Sequence, residues 1–517
     1  MLTQHPVLST VLSRRSLRHP LLAFLLLLCG LATSISRADF IAAVIPGSFV
    51  DYSAAYLVIS GEAGTAGTIT NNAGFNLPFT IGATQLIEIP IPQTAFVGNP
   101  DVLGSVVQEA LFINADKPIG GYILRTDDLS SRPAPPPLAT DRHFSSEVMP
   151  LLNTNQLGTR YRVLQSTRAS GPAFRADFVD RSIAIVATQD NTSVTYTPNE
   201  DLITPATLAG TPVTTTLNAG ESIVYSSENT PAAIIDSSGG LVESSKPIAV
   251  FTYISRGFAP QINAVPLPIL GRSLLGMQLP PSSSFGTEFV FAKTPYSNDN
   301  TDPSTGDDII HVVADLDNTE IRVNGTLITT INAGESFSIN GADGVESAVI
   351  ETSNPVLAAQ YVRSQGSDNF PGPAVTYLPP VTQTASRYLF NKQINATAIY
   401  TEEYLNIAIP TAALASLAID GTTVDTSSFM PIGTTGYSAG NILIPSDVGE
   451  ITASQRFTAT IVGYGNNSPY YGNYLSLPVG LSSPTSKIPA LTPWFLSLIV
   501  LLLGSMAVLY RRKTQFY

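Results

Sequence analysis

The chain has one cysteine, one tryptophan and four histidines in 517 residues. The cysteine, Cys29, falls inside an N-terminal apolar run, so the region beyond it has neither disulfides nor thiol chemistry. A fold there is held by its apolar core or by metal ions. Of the histidines, only His143 and His311 lie beyond residue 38. Two histidines far apart in sequence leave little for a zinc hydrolase or a nucleophile–histidine triad. There is no phosphate-binding Gly-x-x-x-x-Gly-Lys-Ser/Thr loop, no dinucleotide glycine fingerprint and no His-Glu-x-x-His. No pair of carboxylates is marked out as in a glycosidase. The chain therefore reads as non-enzymatic, with an exported carboxylate-dependent hydrolase as an alternative.

Acidic residues are absent from residues 1–38, which carry Arg14, Arg15, Arg18 and Arg37. An apolar run from Leu21 to Ala32 follows the first three, and Ser36-Arg37-Ala38 offers small residues at the two positions a signal peptidase reads. A signal peptide cleaved after Ala38 is expected. At the other end, Trp494 to Tyr510 is almost wholly apolar and is followed by Arg511, Arg512 and Lys513. At ~1.5 Å per residue such a helix is roughly 26 Å long, enough to cross a bilayer core. The basic stop stays cytoplasmic, which sends the bulk of the chain to the far side. The stretch Ile488-Pro489-Ala490-Leu491-Thr492-Pro493-Trp494, with its helix and Arg511-Arg512, resembles the IPTL-CTERM family of bacterial sorting signals, apart from Ala490 where that family has Thr. The resemblance implies handling by envelope sorting machinery; a plain membrane anchor is the alternative.

Seven of the 26 basic residues and none of the 39 acidic ones lie in residues 1–38 and 511–517, leaving 19 against 39 and a net of −20 between them. Such a surface repels nucleic acid and anionic membrane. With 38 glycines, 39 prolines and abundant Thr, Ser, Val and Ile, the composition is that of short strands and many turns.

Those strands repeat. Ile183 to Thr197 matches Ile309 to Val323, each an apolar strand, an Asp-Asn-Thr turn and an alternating strand. Asn218-Ala-Gly-Glu-Ser222 recurs as Asn332-Ala-Gly-Glu-Ser336. Ser245-Lys-Pro-Ile is echoed by Ser353-Asn-Pro-Val. Diverged copies run from Tyr56 to Arg125 and from Tyr404 to Tyr464. The expected division is a signal peptide (1–38), β units over 39–140, 141–270, 271–380 and 381–483, and a C-terminal segment (484–517) with a helix at 494–510. Asp and Asn suit tight turns, Gly supplies positive φ, and the strand-opening Pro needs no N–H, so the repeated motifs read as fold markers. The fold class is all-β, built of repeated β-sandwich-like modules, with a β-propeller-like arrangement as the alternative.

Four carboxylates, Asp299, Asp302, Asp307 and Asp308, crowd one loop, a spacing of hard oxygen ligands that suits calcium though not an EF-hand. His311 sits within a strand and reads as a paired strand residue. Arg125, Arg256 and Arg363 each close the strand of their repeat, which suggests one shared position.

The same repeats resemble the IgGFc-binding protein N-terminal family over roughly residues 140–480. The carriers are the strand–Asp-Asn-Thr–strand units, the Gly-Glu turns, the Ser-Lys-Pro-Ile strand, Ile419-Asp420-Gly421, Gly463-Tyr464 and Tyr470-Tyr471-Gly472. The cysteines of animal members are absent. The resemblance implies an extracellular β-rich binding or adhesion module with a protein or glycan ligand. The resulting expectation is a bacterial cell-envelope protein, exported and held at the surface, with a structural or biofilm-matrix role as the alternative.

Overall fold

Three of the four β units are each built on one long strand that runs through both layers. In the computed structural model the described residues are 39–45, 53–97, 103–127, 145–165, 181–227, 237–257, 273–295, 308–339, 347–362, 373–392, 400–446, 448–465, 474–476 and 479–480. Apart from short 3-10 turns, their regular elements are all strands, as the turn-rich composition leads one to expect.

The second unit shows the plan. Its long strand, Leu241–Gly257, pairs through its first half with Gly158–Arg162 on one side and Thr192–Thr197 on the other, and Val213–Leu217 completes this first layer. Through its second half it pairs with Arg181–Ala187 and Ser273–Gln278, and Ser222–Ser227 completes the second layer. The change of layer falls at Ser245-Lys246-Pro247. Gly158 pairs with Ile248 while Arg160 pairs with Glu243, so the long strand bulges between them. A proline at this point gives up no ladder hydrogen bond, because the bulge has none to lose. The third unit bulges at the same place, with Gly286 opposite Val356 and Glu288 opposite Glu351. The fourth does so with Ala385 opposite Phe457 and Arg387 opposite Thr452. In the first unit the long strand is broken outright into Leu111–Ala115 and Ile119–Asp127 around Asp116-Lys117-Pro118.

The units are sandwiches, but none is closed on its own. The fourth strand of each second layer arrives after the long strand has ended. Ser145–Pro150 closes the first, Ser273–Gln278 the second, Ala374–Tyr377 the third and Tyr474–Ser476 the fourth. These four closing strands touch one another in a ring, the last returning to the first. Gly276 permits the first of these approaches. A Cβ there would lie 2.8 Å from Met149 Cε and 3.0 Å from Glu147 Oε2.

The cores are shared in the same cyclic order. The apolar core of the second unit includes Ile309, Val313, Leu357, Ala359 and Tyr361 of the third. That of the fourth includes Val58, Tyr122, Leu124 and Val148 from the strands of the first sheet and its closing strand. Val290, Ala292 and Val349 of the third pack on Ala408, Ile432 and Ala439 of the fourth. The modules are two-layered, and their four closing strands touch one another.

Candidate functional site

The repeated sequence motifs meet at one end of each unit. In the second, the Ala219 amide donates to Asp190 Oδ1 (3.0 Å), Asn191 N–H to Asn218 Oδ1 (3.1 Å) and Asn218 N–H to Glu221 Oε2 (2.7 Å). Ser193 N–H donates to Ser245 Oγ at 2.9 Å, and the Lys246 ammonium caps the Asp190 carbonyl. In the third, Ala333 donates to Asp317 (3.0 Å), Asn318 to Asn332 (3.3 Å), Asn332 to Glu335 (2.7 Å) and Glu320 to Ser353 (2.9 Å), with the Asn354 amide on the Asp317 carbonyl. The Thr of Asp-Asn-Thr turns its hydroxyl onto a carbonyl three residues back in both units, Thr192 to Gln189 and Thr319 to Leu316. Asn191 and Asn318 sit at φ +53° and +55°, which Asn tolerates better than most residues. These polar side chains are thus engaged by the fold itself.

At the other ends of these strands the second unit holds buried polar groups, one of which reaches the third unit. Gln165 Nε2 donates to the carbonyls of Ser182 (3.3 Å) and Tyr253 (3.0 Å), bridging the two layers. Ser238 gives its hydroxyl proton to the Gln165 carbonyl and accepts from the Gln165 amide, both at 3.1 Å. Ser238 Oγ also lies 3.1 Å from His311 Nε2, and His311 Nδ1 lies 2.8 Å from Ser338 Oγ. His311 is thus a paired strand residue that also joins the second and third units.

Arg160 and Arg162 converge on Asp315 of the third unit, Arg162 Nε at 2.7 Å and Arg160 Nη2 at 2.9 Å. Burial alone would raise the Asp315 carboxyl, but the two guanidinium groups outweigh it and hold it below the ordinary carboxylate value. Arg181 and Glu200 pair at 2.7 Å, and Ser227 donates to the same carboxylate. Arg125, 1% exposed, lies 2.7 Å from Glu147 Oε1, donates to the Ile45 carbonyl at 2.7 Å and stacks 4.8 Å over the ring of Tyr253. Burial drives the Tyr253 phenol far up despite Arg125, so it is a neutral donor, and its partner is the Ala43 carbonyl.

Arg256 does not share the position of Arg125. Glu147, Leu275 and Ala374 each stand seven residues before the 3-10 turn that follows their strand. Their partners are Arg125, Ile254 and Val362. Arg256 therefore falls out of register with Arg125, and Arg363 lies outside the described residues. The likeness was one of strand ends, whereas register is counted from the bulge.

Of the four proposed calcium ligands only Asp308 is described. It is buried and accepts from Thr294 N–H (2.8 Å), Thr294 Oγ1 (2.8 Å) and Gln360 Nε2 (2.9 Å). Asp299, Asp302 and Asp307 lie outside the described residues, as do Ala38, Ile488, Pro489, Leu491, Trp494, Arg511 and Arg512. Among the described residues no cluster of three His, Cys, Asp or Glu could hold a metal ion, and no helix is long and apolar enough to cross a membrane. Nothing in the sequence marks out Glu147, Gln165 or Ser238, each a single polar residue in an ordinary strand or turn.

No curated protein matches the chain. Among solved structures, a Ca2+-stabilized adhesin that helps an Antarctic bacterium bind ice aligns over 85% of this chain and 97% of its own, at 11% identity and a TM-score of 0.11, too low to carry an argument. The family described as IgGFc binding protein matches residues 147–463. That span is more than half of the chain and takes in every repeat of the second and third units, and the chain belongs to that family.

Proposed function

We propose that this protein is an exported binding or adhesion protein of the bacterial cell surface that acts without catalysis. The observation that carries this reading is membership of a binding family across residues 147–463. The expected ligand is an extracellular protein or glycan. In the second and third units the polar side chains of the repeated turns are engaged by hydrogen bonds of the fold itself, so they are not offered as the recognition surface. The leader before Asp39 would route the chain across the membrane, and the apolar tail with its basic stop would hold it at the envelope or present it to sorting machinery. Arrays of extracellular proteins and glycans, probed with the purified protein, test the reading. Saturable binding supports it. Turnover of a glycan or peptide substrate abolished by one carboxylate substitution would replace it with a hydrolase. Fractionation of cells carrying an epitope just before Ile488 tests compartment and tail together; full-length protein in the cytosol sinks the export reading. Calcium at Asp299, Asp302, Asp307 and Asp308 rests on the sequence. It requires a calcium-dependent rise in Tm that Asp302→Ala and Asp307→Ala abolish.

A further inference from the structure

We propose that two copies of this chain pair through the edge strand Val213–Leu217 of the second unit, antiparallel and two-fold symmetric, joining their first layers into one continuous sheet. The four units offer four equivalent outer strands, and three are blunted. Asn76–Thr80 carries Pro78, which cannot donate. Thr326–Ile331 is bent by a register shift against its neighbour, between Ile321 and Arg322, and runs beside the charged Glu320 and Arg322. Thr422–Thr423 is two residues long. Bulges, prolines, charges and shortness are the ordinary ways of protecting an edge. Val213-Thr-Thr-Thr-Leu217 has none of them. Its five residues pair in unbroken register with Thr192 to Tyr196, and no described strand lies on its far side.

The occupant follows from charge. The region between the ends carries a net of −20, so copies repel except where ionisable groups are missing. In a two-fold pair each residue near the axis meets its own counterpart, and any carboxylate there would face a carboxylate. This strand has no ionisable residue. The nearest charge in register on its solvent face is Glu243, two strands inward and paired with Arg160 at 2.5 Å. Thr214 and Thr216 are exposed on that face. With Thr215 on the axis, Thr214 stands opposite the partner's Thr216. That repeats a contact the molecule already makes, Thr195 Oγ1 to Thr214 Oγ1 at 2.9 Å. Leu208, 70% exposed, lies in the connection that joins this strand to Thr192–Thr197, where the Gly210 amide donates to the Pro198 carbonyl.

The test is sedimentation of the purified full-length protein, with circular dichroism and Tm as controls for folding. The wild type is expected at twice the monomer mass. Thr216→Lys sets a lysine beside the two-fold axis on each copy and is expected to halve that mass with Tm unchanged. Thr214→Lys repeats the test at the other end of the pair should Thr216→Lys fail to fold. Leu327→Lys, on the corresponding strand of the third unit, is expected to leave the dimer intact. A monomeric wild type, a dimer that survives both threonine substitutions (as one made by the tail would), or a dimer lost in Leu327→Lys overturns the proposal.

Discussion

Arg125 and Glu147 form a buried ion pair where the equivalent positions of the next two units hold Ile254 with Leu275 and Val362 with Ala374. Removing one charge strands the other away from water, whereas replacing both with well-packed apolar groups removes the desolvation cost as well as the attraction. Arg125→Ala is expected to destabilise by about 3–5 kcal/mol. The double change Arg125→Ile with Glu147→Leu, which copies the second unit, is expected to recover most of that loss, though it also gives up the contacts with Tyr253 and Ile45. Denaturant unfolding of both variants decides it; a double variant as weak as Arg125→Ala would mean that those contacts, and not the charge, matter. Asp315 behaves differently because it is partly exposed. Its folded pKa lies below the ordinary 3.8, so its contribution is present above that value and is lost as pH falls through the lower folded one. Asp315→Asn is therefore expected to lower Tm at neutral pH and to flatten the acid limb of Tm against pH below about 4. An unchanged acid limb would place the acid sensitivity elsewhere.

At the scale of the element, the repeated motifs were legible because turn geometry leaves few residues to choose from. Gly220 and Gly334 sit at φ +79° and +80°, and the Asp-Asn-Thr asparagines at +53° and +55°, so the chain repeats the same letters to repeat the same shape. What the letters did not carry was who pairs with whom. The short apolar runs in Ser273–Gln278 and Ala374–Tyr377 are compatible with a strand but say nothing of the sheet it joins, so the handing of a closing strand to the preceding unit is invisible in the sequence. The buried joints are illegible for a related reason: Gln165, Ser238 and Glu147 are isolated polar residues whose partners lie 17 to 88 positions away. Because the turn ends of the second and third units share their hydrogen bonds, matching substitutions should share their cost. Asp190→Ala and Asp317→Ala each leave a backbone amide without its acceptor, at Ala219 and Ala333. Each is expected to destabilise by about 1–2 kcal/mol, the two agreeing within error. A large difference measured by denaturant unfolding would mean that the unit junctions, not the local turn, set the value of the contact.

At the scale of the whole molecule, cores shared around a ring predict how the protein unfolds. Repeats in an open row lose end units first, because each touches only its neighbours and the terminal ones lack a neighbour on one side. Here the fourth unit packs on both the third and the first, through Ala408 and Ala439 on one face and Leu405 and Ile407 on the other. No unit is an end. The closing strand Tyr474–Ser476 is the last described strand to touch the first unit's Ser145–Pro150, so it is both the edge of the fourth second layer and the clasp of the ring. Leu475→Pro removes an amide from a strand that pairs with Ile461 to Gly463 and disfavours the pairing. In a clasped ring this lowers the single transition of the whole molecule, since opening one joint exposes cores on both sides. In a row of independent sandwiches it would split off the fourth unit as a separate early transition and leave the rest where it was. Calorimetry of the wild type and of Leu475→Pro separates the two. One transition, shifted down as a unit, is the outcome the shared cores require.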